Sequence, residues 1–243
     1  MAEHLTARLL SAREIAPDVR HFTFEALGVD RLDFIPGQFV SLTAMLPSAD
    51  EHDHKITRAY SIASPPSGDN RFDLCLNRVP GGHMSPYLFS MLPGDTIDMR
   101  KPLGGFVLRE PPADSIFIAT GTGVAPFRSI LQAHVKKGSP RFTLLLGSRY
   151  EENLLYPDEF HELAEQHPQF DFVPTLTRPG KNWSGRTGRV QQHLAEVIDG
   201  RSADSDHALN FYLCGMHEMV DEVRSILKDA GYDRKQIRTE KYD

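Results

Sequence analysis

Hydrophobic residues follow two different rhythms along the chain. Up to about residue 108, apolar and polar residues alternate over short runs, as in VRHFTF (19–24) and RFDLCLNRV (71–79). Alternation with a period of two is typical of strands that bury one face. Glycine and proline punctuate these runs in IPGQ, SPPSGD, VPGG and LPGD, and many short strands with such turns predict a small antiparallel barrel. One segment of this half, MSPYLFSM (84–91), is predicted to be a helix.

After the double proline of LREPPADS (108–115), the strands become continuous apolar runs, and helical segments separate them. The predicted strands cover residues 115–121, 141–149, 170–178, 207–215 and 236–243. The predicted helices cover residues 125–137, 157–167, 188–199 and 216–231. Continuous apolar strands that alternate with helices predict a doubly wound α/β domain, whose parallel sheet is buried on both faces. The predicted fold therefore has two domains, an antiparallel β-barrel over 1–110 and the α/β domain over 111–243.

Composition narrows the function. The 27 Lys and Arg residues are outnumbered by 33 Asp and Glu residues, which leaves a net charge of −6, so nucleic acid is not an expected partner. Two cysteines cannot by themselves hold an iron–sulfur cluster, and the histidines show no metal-ligand pattern. No apolar run approaches the roughly 20 residues of a membrane span, and MAEHLTARLL does not read as a signal peptide. We expect a cytoplasmic protein without a metal site.

Candidate chemistry lies at the strand ends of the α/β half, where doubly wound sheets bind ligands. The segment ATGTGVAPFRS follows the first of these strands. Gly121 and Gly123 let the backbone approach a ligand, and the helix that follows offers free N–H groups to a phosphate. An ordinary glycine turn explains this stretch equally well when it is taken alone. The segment LCGMHEMV places Cys214 at the end of the fourth strand, although a lone cysteine there is more often a small buried hydrophobe.

Four arginines form a second candidate site. Arg149 and Arg178 follow the second and third strands, and Arg186 and Arg189 are placed at the start of the next helix. Guanidinium groups bind phosphate monoesters bidentately. Each arginine alone reads as a solvated surface residue, but together they fall on one edge of the sheet and predict a phosphate site.

The barrel half carries two further motifs. In VPGGHMSPYL (79–88), a glycine turn precedes a Ser-Pro pair that is typical of a helix start. Three amides at that start would face an anion, or the segment is a capped surface helix. In RAYSIASPP (58–66), an arginine, a tyrosine and a serine stand at fixed offsets before the strand ends.

RAYS, GGHMS, GTGVAP, CGMHEM and a terminal EKY occur in that order. This ordered set resembles the ferredoxin–NADP reductase family, in particular its bacterial ferredoxin/flavodoxin reductase branch, from about residue 6 onwards. The resemblance implies FAD and NADP(H) as cofactors, and hydride transfer from NADPH to FAD. Single electrons would then pass to a ferredoxin or flavodoxin, which would be a separate molecule because this chain has no cysteine-rich cluster domain. A monomer is expected.

The resemblance also implies roles for single residues of the flavin site. Arg58 would approach the flavin phosphates, Tyr60 would lie against the isoalloxazine and Tyr242 would cover its other face. Ser61 would hydrogen-bond near N5. The residues implied to contact the flavin in the barrel half are Arg58, Ala59, Tyr60, Ser61, Leu76, Asn77, Arg78, Val79, Gly82, His83, Met84 and Ser85.

For the nicotinamide nucleotide, the family resemblance implies that GTGVAP binds the pyrophosphate and that Cys214 lies beside the nicotinamide C4. The implied nucleotide residues are Gly121, Thr122, Gly123, Ser148, Arg149, Thr177, Arg178, Arg189, Cys214, Gly215 and Met219. The implied catalytic residues are Ser61, Cys214, Glu240 and Tyr242. The arginines favour NADPH over NADH because the 2′-phosphate needs cations, whereas Glu151 and Glu152 could serve a ribose hydroxyl instead.

Two alternatives stay open at this point. One is an NADH-linked reductase of the same architecture that serves an oxygenase or ferric chelates. The other is a flavin-binding redox sensor that does not turn over. Cys214 together with Glu240 favours turnover.

Overall fold

The computed structural model describes residues 4–47, 53–202 and 209–242. By its internal contacts, the chain forms two compact units. The first comprises Met1–Val107 and Ala125–Ala133, and the second comprises Leu108–Val124 and His134–Asp243.

The first unit is built on an antiparallel sheet of six strands. The strands are β1 (His4–Ala16), β2 (Val19–Leu27), β3 (Phe39–Pro47), β4 (Asp53–Ser61), β5 (Arg71–Asn77) and β6 (Thr96–Leu103), with helix α1 (Met84–Ser90) before β6. They are ordered β4-β3-β6-β1-β2-β5, and an antiparallel bridge between Ile62 and Leu74 links the two ends of the sheet. The predicted antiparallel barrel is therefore confirmed.

Alternating apolar residues of these strands fill the interior of the first unit. Phe22, Phe24 and Phe72 are almost completely buried. Phe24 stacks against both of the others, with ring centroids 6.2 Å from Phe22 and 5.7 Å from Phe72. The period of two in VRHFTF thus marks a core face, as expected.

The second unit is built on a parallel sheet of six strands. Its strands are β7 (Ser115–Thr120), β8 (Phe142–Ser148), β9 (Phe170–Leu176), β10 (Arg186–Thr187), β11 (Asn210–Met216) and β12 (Ile237–Tyr242). Helix α2 (Ala125–His134) follows β7 in sequence, but its residues Ala125–Ala133 belong to the first unit, and the helices of the second unit are α3 (Pro157–Gln166), α4 (Val190–Ser202) and α5 (His217–Asp229). Almost every residue of β7, β8 and β11 is buried, so the predicted parallel sheet with two covered faces is confirmed.

Strand order places the site in this sheet. The order β10-β9-β8-β7-β11-β12 means that the chain runs outward from β7 to one edge and then returns to the other side of β7. Such a reversal opens a crevice outside the carboxyl ends of the two strands that flank it. Here those strands are β7 and β11, which carry the glycine loop and Cys214.

Three details differ from the sequence prediction or lie beyond it. Arg186 was predicted at a helix start, but it lies in the two-residue strand β10, which pairs with β9. A strand of two residues has no periodicity that a sequence can reveal. Helix α1 begins at Met84 with His83 at its N-cap position and no side-chain cap, and the Ser85 hydroxyl accepts a hydrogen bond from the Val79 N–H (2.9 Å). Residues 207, 208 and 243 of the predicted strands lie outside the described residues.

In the described part of the chain, no helix has the length and apolar character needed to span a membrane.

Candidate cofactor sites

The crevice in the second unit brings together three residues that are distant in sequence. Strand β11 pairs in parallel with β12, so that Cys214 lies opposite Glu240 and Met216 lies opposite Tyr242. The side chain of Tyr242 hydrogen-bonds the Cys214 thiol, and the Glu240 carboxylate is close enough to act on it electrostatically. Three of the four predicted catalytic residues therefore form one group at the carboxyl ends of two neighbouring strands.

Burial determines the chemistry of this group. Cys214 has no exposed surface. Burial raises the pKa of its thiol well above the usual value, the charge of Glu240 raises that pKa further, and the hydrogen bond from Tyr242 opposes both effects. The thiol is therefore neutral at neutral pH. A neutral thiol is a poor nucleophile, but it can pack beside an apolar ring.

The glycine loop lies directly against this group. Residues Gly121–Val124 form a short 3-10 turn between β7 and α2. A Cβ atom on Gly123 would lie 2.6 Å from the carbonyl carbon of Cys214 and 2.9 Å from the Cα of Gly215, so no side chain fits there. Gly121 has φ of 53°, a conformation that glycine adopts without penalty. One glycine is needed for its conformation and the other for space.

Thr120 is a crevice residue that the sequence motifs did not single out. Its Oγ1 is buried and has no hydrogen-bond partner among the described residues. It lies 2.5 Å from the position that a Cβ of Gly215 would occupy, and the Cε of Met219 lies 2.9 Å from the same position. A buried hydroxyl without a partner costs free energy, and it is therefore a candidate donor for a polar ligand. Its place at the end of a strand, directly before the glycine loop, was the available signal.

The arginine edge is assembled by backbone hydrogen bonds between loops. The Thr177 N–H donates to the Ser148 carbonyl (3.0 Å), and the Arg178 N–H donates to the Arg149 carbonyl (2.8 Å). Arg189 follows Gly188, whose N–H donates to the Leu176 carbonyl (2.8 Å) at the end of β9. Arg149, Arg178 and Arg189 are all exposed.

Two neighbours change the charge of this edge. Arg186 forms an ion pair with Glu196 at 2.6 Å, so its charge is already compensated within the protein. The Glu151 carboxylate lies beside Gly180, with its Oε2 2.9 Å from where a Cβ would be. The edge therefore offers Arg149, Arg178 and Arg189 to an anion, and the Glu151 carboxylate lies in the same group of loops.

The first unit contains the other predicted residues. Arg58 is exposed, and its Nη1 donates to the carbonyl of its neighbour Thr57 (2.9 Å). Burial raises the pKa of Tyr60 to about 12, although the charge of Arg58 opposes the shift. Ser61 is buried at the end of β4, and Ala59 is exposed between these residues. The Tyr60 phenol is thus neutral over the physiological pH range.

The segment after β5 presents a row of backbone donors. Leu76 is buried, whereas Asn77, Arg78 and Val79 are exposed. The Gly82 N–H donates to the Val79 carbonyl (3.0 Å) and closes the turn. The N–H groups of His83, Met84 and Ser85 have no hydrogen-bond acceptor in the described ranges of the chain. Free amides at a helix start and a guanidinium group such as that of Arg58 are the types of donor that a diphosphate requires.

Among the described residues, no group of three or more His, Cys, Asp or Glu side chains is placed to hold a metal ion.

Comparisons with known proteins identify the two halves. Residues 6–108 match the family model described as oxidoreductase FAD-binding domain, and residues 117–225 match the one described as oxidoreductase NAD-binding domain. Ferredoxin–NADP reductase B of Sorangium cellulosum (strain So ce56) is 40% identical over 247 residues, which cover 100% of this chain and 99% of that protein.

Two solved structures share the fold over nearly the whole chain. A ferredoxin NADP⁺ reductase from Neisseria gonorrhoeae with bound FAD and NADP has a TM-score of 0.82 and 28% identity, with 99% of each chain covered. A cytochrome P450 reductase from Amycolatopsis has a TM-score of 0.83 and 29% identity, with 98% of this chain and 69% of that chain covered.

The predicted cofactor classes agree with these matches. The chain has an FAD-binding and an NAD-binding oxidoreductase domain, and the donor sets described above fit a flavin diphosphate in one unit and a nicotinamide nucleotide in the other. The family resemblance of the sequence motifs is now supported by 40% identity to a ferredoxin–NADP reductase over the full length of the chain. The chain therefore belongs to the ferredoxin–NADP reductase family of FAD- and NAD(P)-binding oxidoreductases.

Proposed function

We propose that this oxidoreductase uses NADPH to reduce FAD and passes the electrons singly to a separate ferredoxin or flavodoxin. The observation that carries the proposal is the group of Cys214, Glu240 and Tyr242 beside the Gly121–Val124 turn. Hydride transfer from nicotinamide to flavin, and the release of single electrons, are chemistry that the cofactors supply when they are bound. The task of the chain is to bind, to orient and to exclude water.

In the first unit, the proposed roles follow from charge and burial. Arg58 and the amides of His83, Met84 and Ser85 would offset the charge of the diphosphate. The neutral ring of Tyr60 would pack against the flavin ring and bury its apolar face. Ser61 would donate its hydroxyl to the flavin near N5.

In the second unit, the neutral thiol of Cys214 would pack beside the nicotinamide, with Tyr242 and Glu240 holding it in place. The glycine turn would bind the pyrophosphate through its backbone N–H groups. Because the thiol is neutral and not a nucleophile, its proposed role is to orient the ring rather than to form a covalent bond.

The experiment that tests turnover is anaerobic reduction of the purified yellow protein. We expect NADPH to bleach the flavin absorbance, and we expect cytochrome c to be reduced only when a ferredoxin or flavodoxin is added. A flavin that stays oxidised in the presence of NADPH and of NADH would contradict turnover and favour the redox-sensor alternative.

Cofactor choice rests on the arginine edge. Each arginine–phosphate pair contributes about 1.5–3 kcal/mol, so Arg178→Ala or Arg189→Ala should lower kcat/KM for NADPH by about tenfold or more and leave the value for NADH nearly unchanged. Arg234→Ala is the matched control, because Arg234 is exposed in the same unit but precedes β12, at the opposite edge of the parallel sheet. A wild type that prefers NADH contradicts the assignment.

The second candidate function is an NADH-linked reductase for an oxygenase. The observation in its favour is the Glu151 carboxylate beside Gly180, since an acidic side chain can bind a free ribose hydroxyl. One structural relative is a cytochrome P450 reductase. Kinetics with both nucleotides, followed by assays with candidate carriers and oxygenase components, separate the two functions.

The proposal also covers the domain limits, the oligomeric state and the cellular location of the protein. We place the flavin domain at residues 1–110 and the nucleotide domain at 111–243, which is supported by family matches at 6–108 and 117–225. We propose a monomer in the cytoplasm; the cytoplasmic setting is supported by two buried cysteines, Cys75 and Cys214, that form no disulfide.

A further inference from the structure

The arginine edge has an internal brace at Trp183, the one tryptophan of the sequence. Its indole ring packs on Gly185, where a Cβ atom would lie 2.7 Å from Cε2 of the ring. Gly185 does not have a positive φ, so glycine is required there for space rather than for conformation. The indole Nε1–H donates to the Arg186 carbonyl (2.9 Å), and the Trp183 N–H donates to the Gly180 carbonyl (3.2 Å). The loop is thereby folded around its own tryptophan.

Both ends of the same loop are fastened to the sheet. At its start, the Arg178 N–H donates to the Arg149 carbonyl (2.8 Å). At its end, the Thr175 hydroxyl donates to the Gly188 carbonyl (2.9 Å), and Arg186 forms its ion pair with Glu196. Arg178 and Arg189 therefore project from two fixed points, and the segment between them is closed by Trp183.

Arg178 and Arg189 differ from Arg186 in whether a carboxylate of the protein compensates their charge. In the described part of the chain, neither has a carboxylate partner, whereas Arg186 is paired with Glu196. Two long exposed side chains lose conformational freedom when they bind one ligand, and a fixed backbone beneath them reduces that loss. A fixed loop between them therefore lowers this loss when both side chains bind the same anion.

We propose that Trp183 is a positioning residue that sets the selectivity for a nucleotide with a 2′-phosphate. Its contacts with Gly185 and the Arg186 carbonyl hold the loop, so that the guanidinium groups of Arg178 and Arg189 meet the same phosphate. The inference rests on the proposed function, since it requires the arginine edge to be the 2′-phosphate site.

Two variants disturb the contact between Trp183 and its loop, one by changing the indole and the other by changing its neighbour Gly185. Trp183→Phe removes the indole N–H, and Gly185→Ala keeps the tryptophan but inserts a methyl group into the space of its ring. We expect each to lower kcat/KM for NADPH by about tenfold, through KM, with kcat and the efficiency for NADH nearly unchanged. Gly200→Ala is the matched control, because nothing lies within 4 Å of a Cβ there, and it should behave as the wild type.

Binding gives a readout that does not depend on turnover. Calorimetric titration of the purified flavoprotein should show about tenfold weaker binding of 2′,5′-ADP in both variants, with binding of 5′-ADP unchanged. Because Trp183 is the one tryptophan, the emission of Gly185→Ala should shift to the red as the indole leaves its place. In a Trp183→Ala background, adding Gly185→Ala should cost nothing further, since the ring that the methyl group would strike is gone.

The outcomes separate this inference from the function beneath it. If Arg178→Ala and Arg189→Ala leave kcat/KM for NADPH unchanged, both the proposed 2′-phosphate site and the proposed role of Trp183 are wrong. If those variants lose NADPH efficiency but Trp183→Phe and Gly185→Ala keep it, only the brace is wrong. Equal losses for NADPH and NADH would mean a general structural role for Trp183 and would also overturn the inference.

Discussion

At the scale of single residues, burial decides which groups carry charge. Tyr60 and Cys214 belong to different units, yet burial raises the pKa of each side chain, to about 12 for the tyrosine. Neither group is ionised at neutral pH. In the proposed site both act as neutral surfaces, and the charge is left to arginines that remain exposed.

The thiol of Cys214 allows a direct test of this view. Iodoacetamide should label Cys214 very slowly at about pH 7–8, because the thiolate is the reactive form. Glu240→Gln should move the pH profile of labelling down, since one of the two groups that raise the pKa is removed. The midpoint should still exceed the usual thiol value because burial is the larger cause.

Peptide-resolved mass spectrometry measures this labelling separately for Cys75 and Cys214. Glu162→Gln on the exposed face of α3 is the control. A labelling profile for Glu240→Gln that coincides with that of the wild type would contradict the electrostatic contact between Glu240 and Cys214.

At the scale of elements, the turn between β7 and α2 depends on two glycines for different reasons. Gly121→Ala should cost about 1–2 kcal/mol, because alanine must adopt a left-handed conformation, but it adds no clash. Gly123→Ala should destabilise by about 1–3 kcal/mol through overpacking and should also abolish nucleotide binding, because the methyl group pushes the turn away from Cys214 and Gly215. Urea unfolding and nucleotide titration measure the two effects. Retained binding in Gly123→Ala would show that the turn is not the nucleotide site.

Helix α2 is held in the first unit by a buried charged network. The Arg128 guanidinium donates to the Ala63 carbonyl (2.9 Å) and lies 3.5 Å from the Asp73 carboxylate. His21 lies 3.4 Å from the same carboxylate, and Thr23 donates to it (2.9 Å). Burial raises the pKa of Asp73, but these partners outweigh burial and keep it below the usual value.

The sign of this shift predicts how stability depends on pH. A carboxyl whose pKa is lowered by folding stabilises the protein above its unfolded pKa, and that contribution is lost as the pH falls through the lowered value. Asp73→Asn should therefore flatten the loss of stability below about pH 4. Arg128→Gln should cost about 1.5–3 kcal/mol at neutral pH, and Arg31→Gln, on an exposed ion pair, should cost far less. Equal urea midpoints for these two arginine variants would contradict the network.

At the scale of the whole molecule, one antiparallel and one parallel sheet underlie the FAD-binding and NAD-binding domains, and each is proposed to supply one cofactor surface. In the proposed function, the antiparallel unit would offer amides and an arginine to a flavin diphosphate, and the parallel unit would offer a glycine turn to a nucleotide. Because ligands that bind only the native state stabilise it, the unfolding temperature should report on both surfaces.

Removing the flavin should lower that temperature by several degrees. A ligand at about a hundred times its Kd contributes about 2.7 kcal/mol, and about 2–4 °C per kcal/mol is expected for a chain of this size. Added FAD should restore the transition in scanning fluorimetry. FMN should restore less, since it lacks the second phosphate that the amides of His83, Met84 and Ser85 would bind. Full recovery with FMN would contradict the diphosphate site.

The sequence by itself determined the type of nearly every element and the motifs at the strand ends. Period-two runs and continuous apolar runs report whether one face or both faces of a strand are buried, and that burial is local to the strand. For the same reason, the succession of strands and helices along the chain is enough to place the glycine turn and the arginines at the carboxyl ends of strands. The residue roles taken from the family resemblance remain predictions.

Only the tertiary structure decided which side chains meet. The pairing of Cys214 with Glu240 follows from the register of β11 against β12, and no periodicity encodes a register between strands that a helix separates. The same is true of Arg186, whose charge is compensated by Glu196, and of Trp183, whose ring occupies the space that Gly185 leaves open. A sequence pattern states which residues are buried or exposed, whereas their partners depend on how distant segments pack.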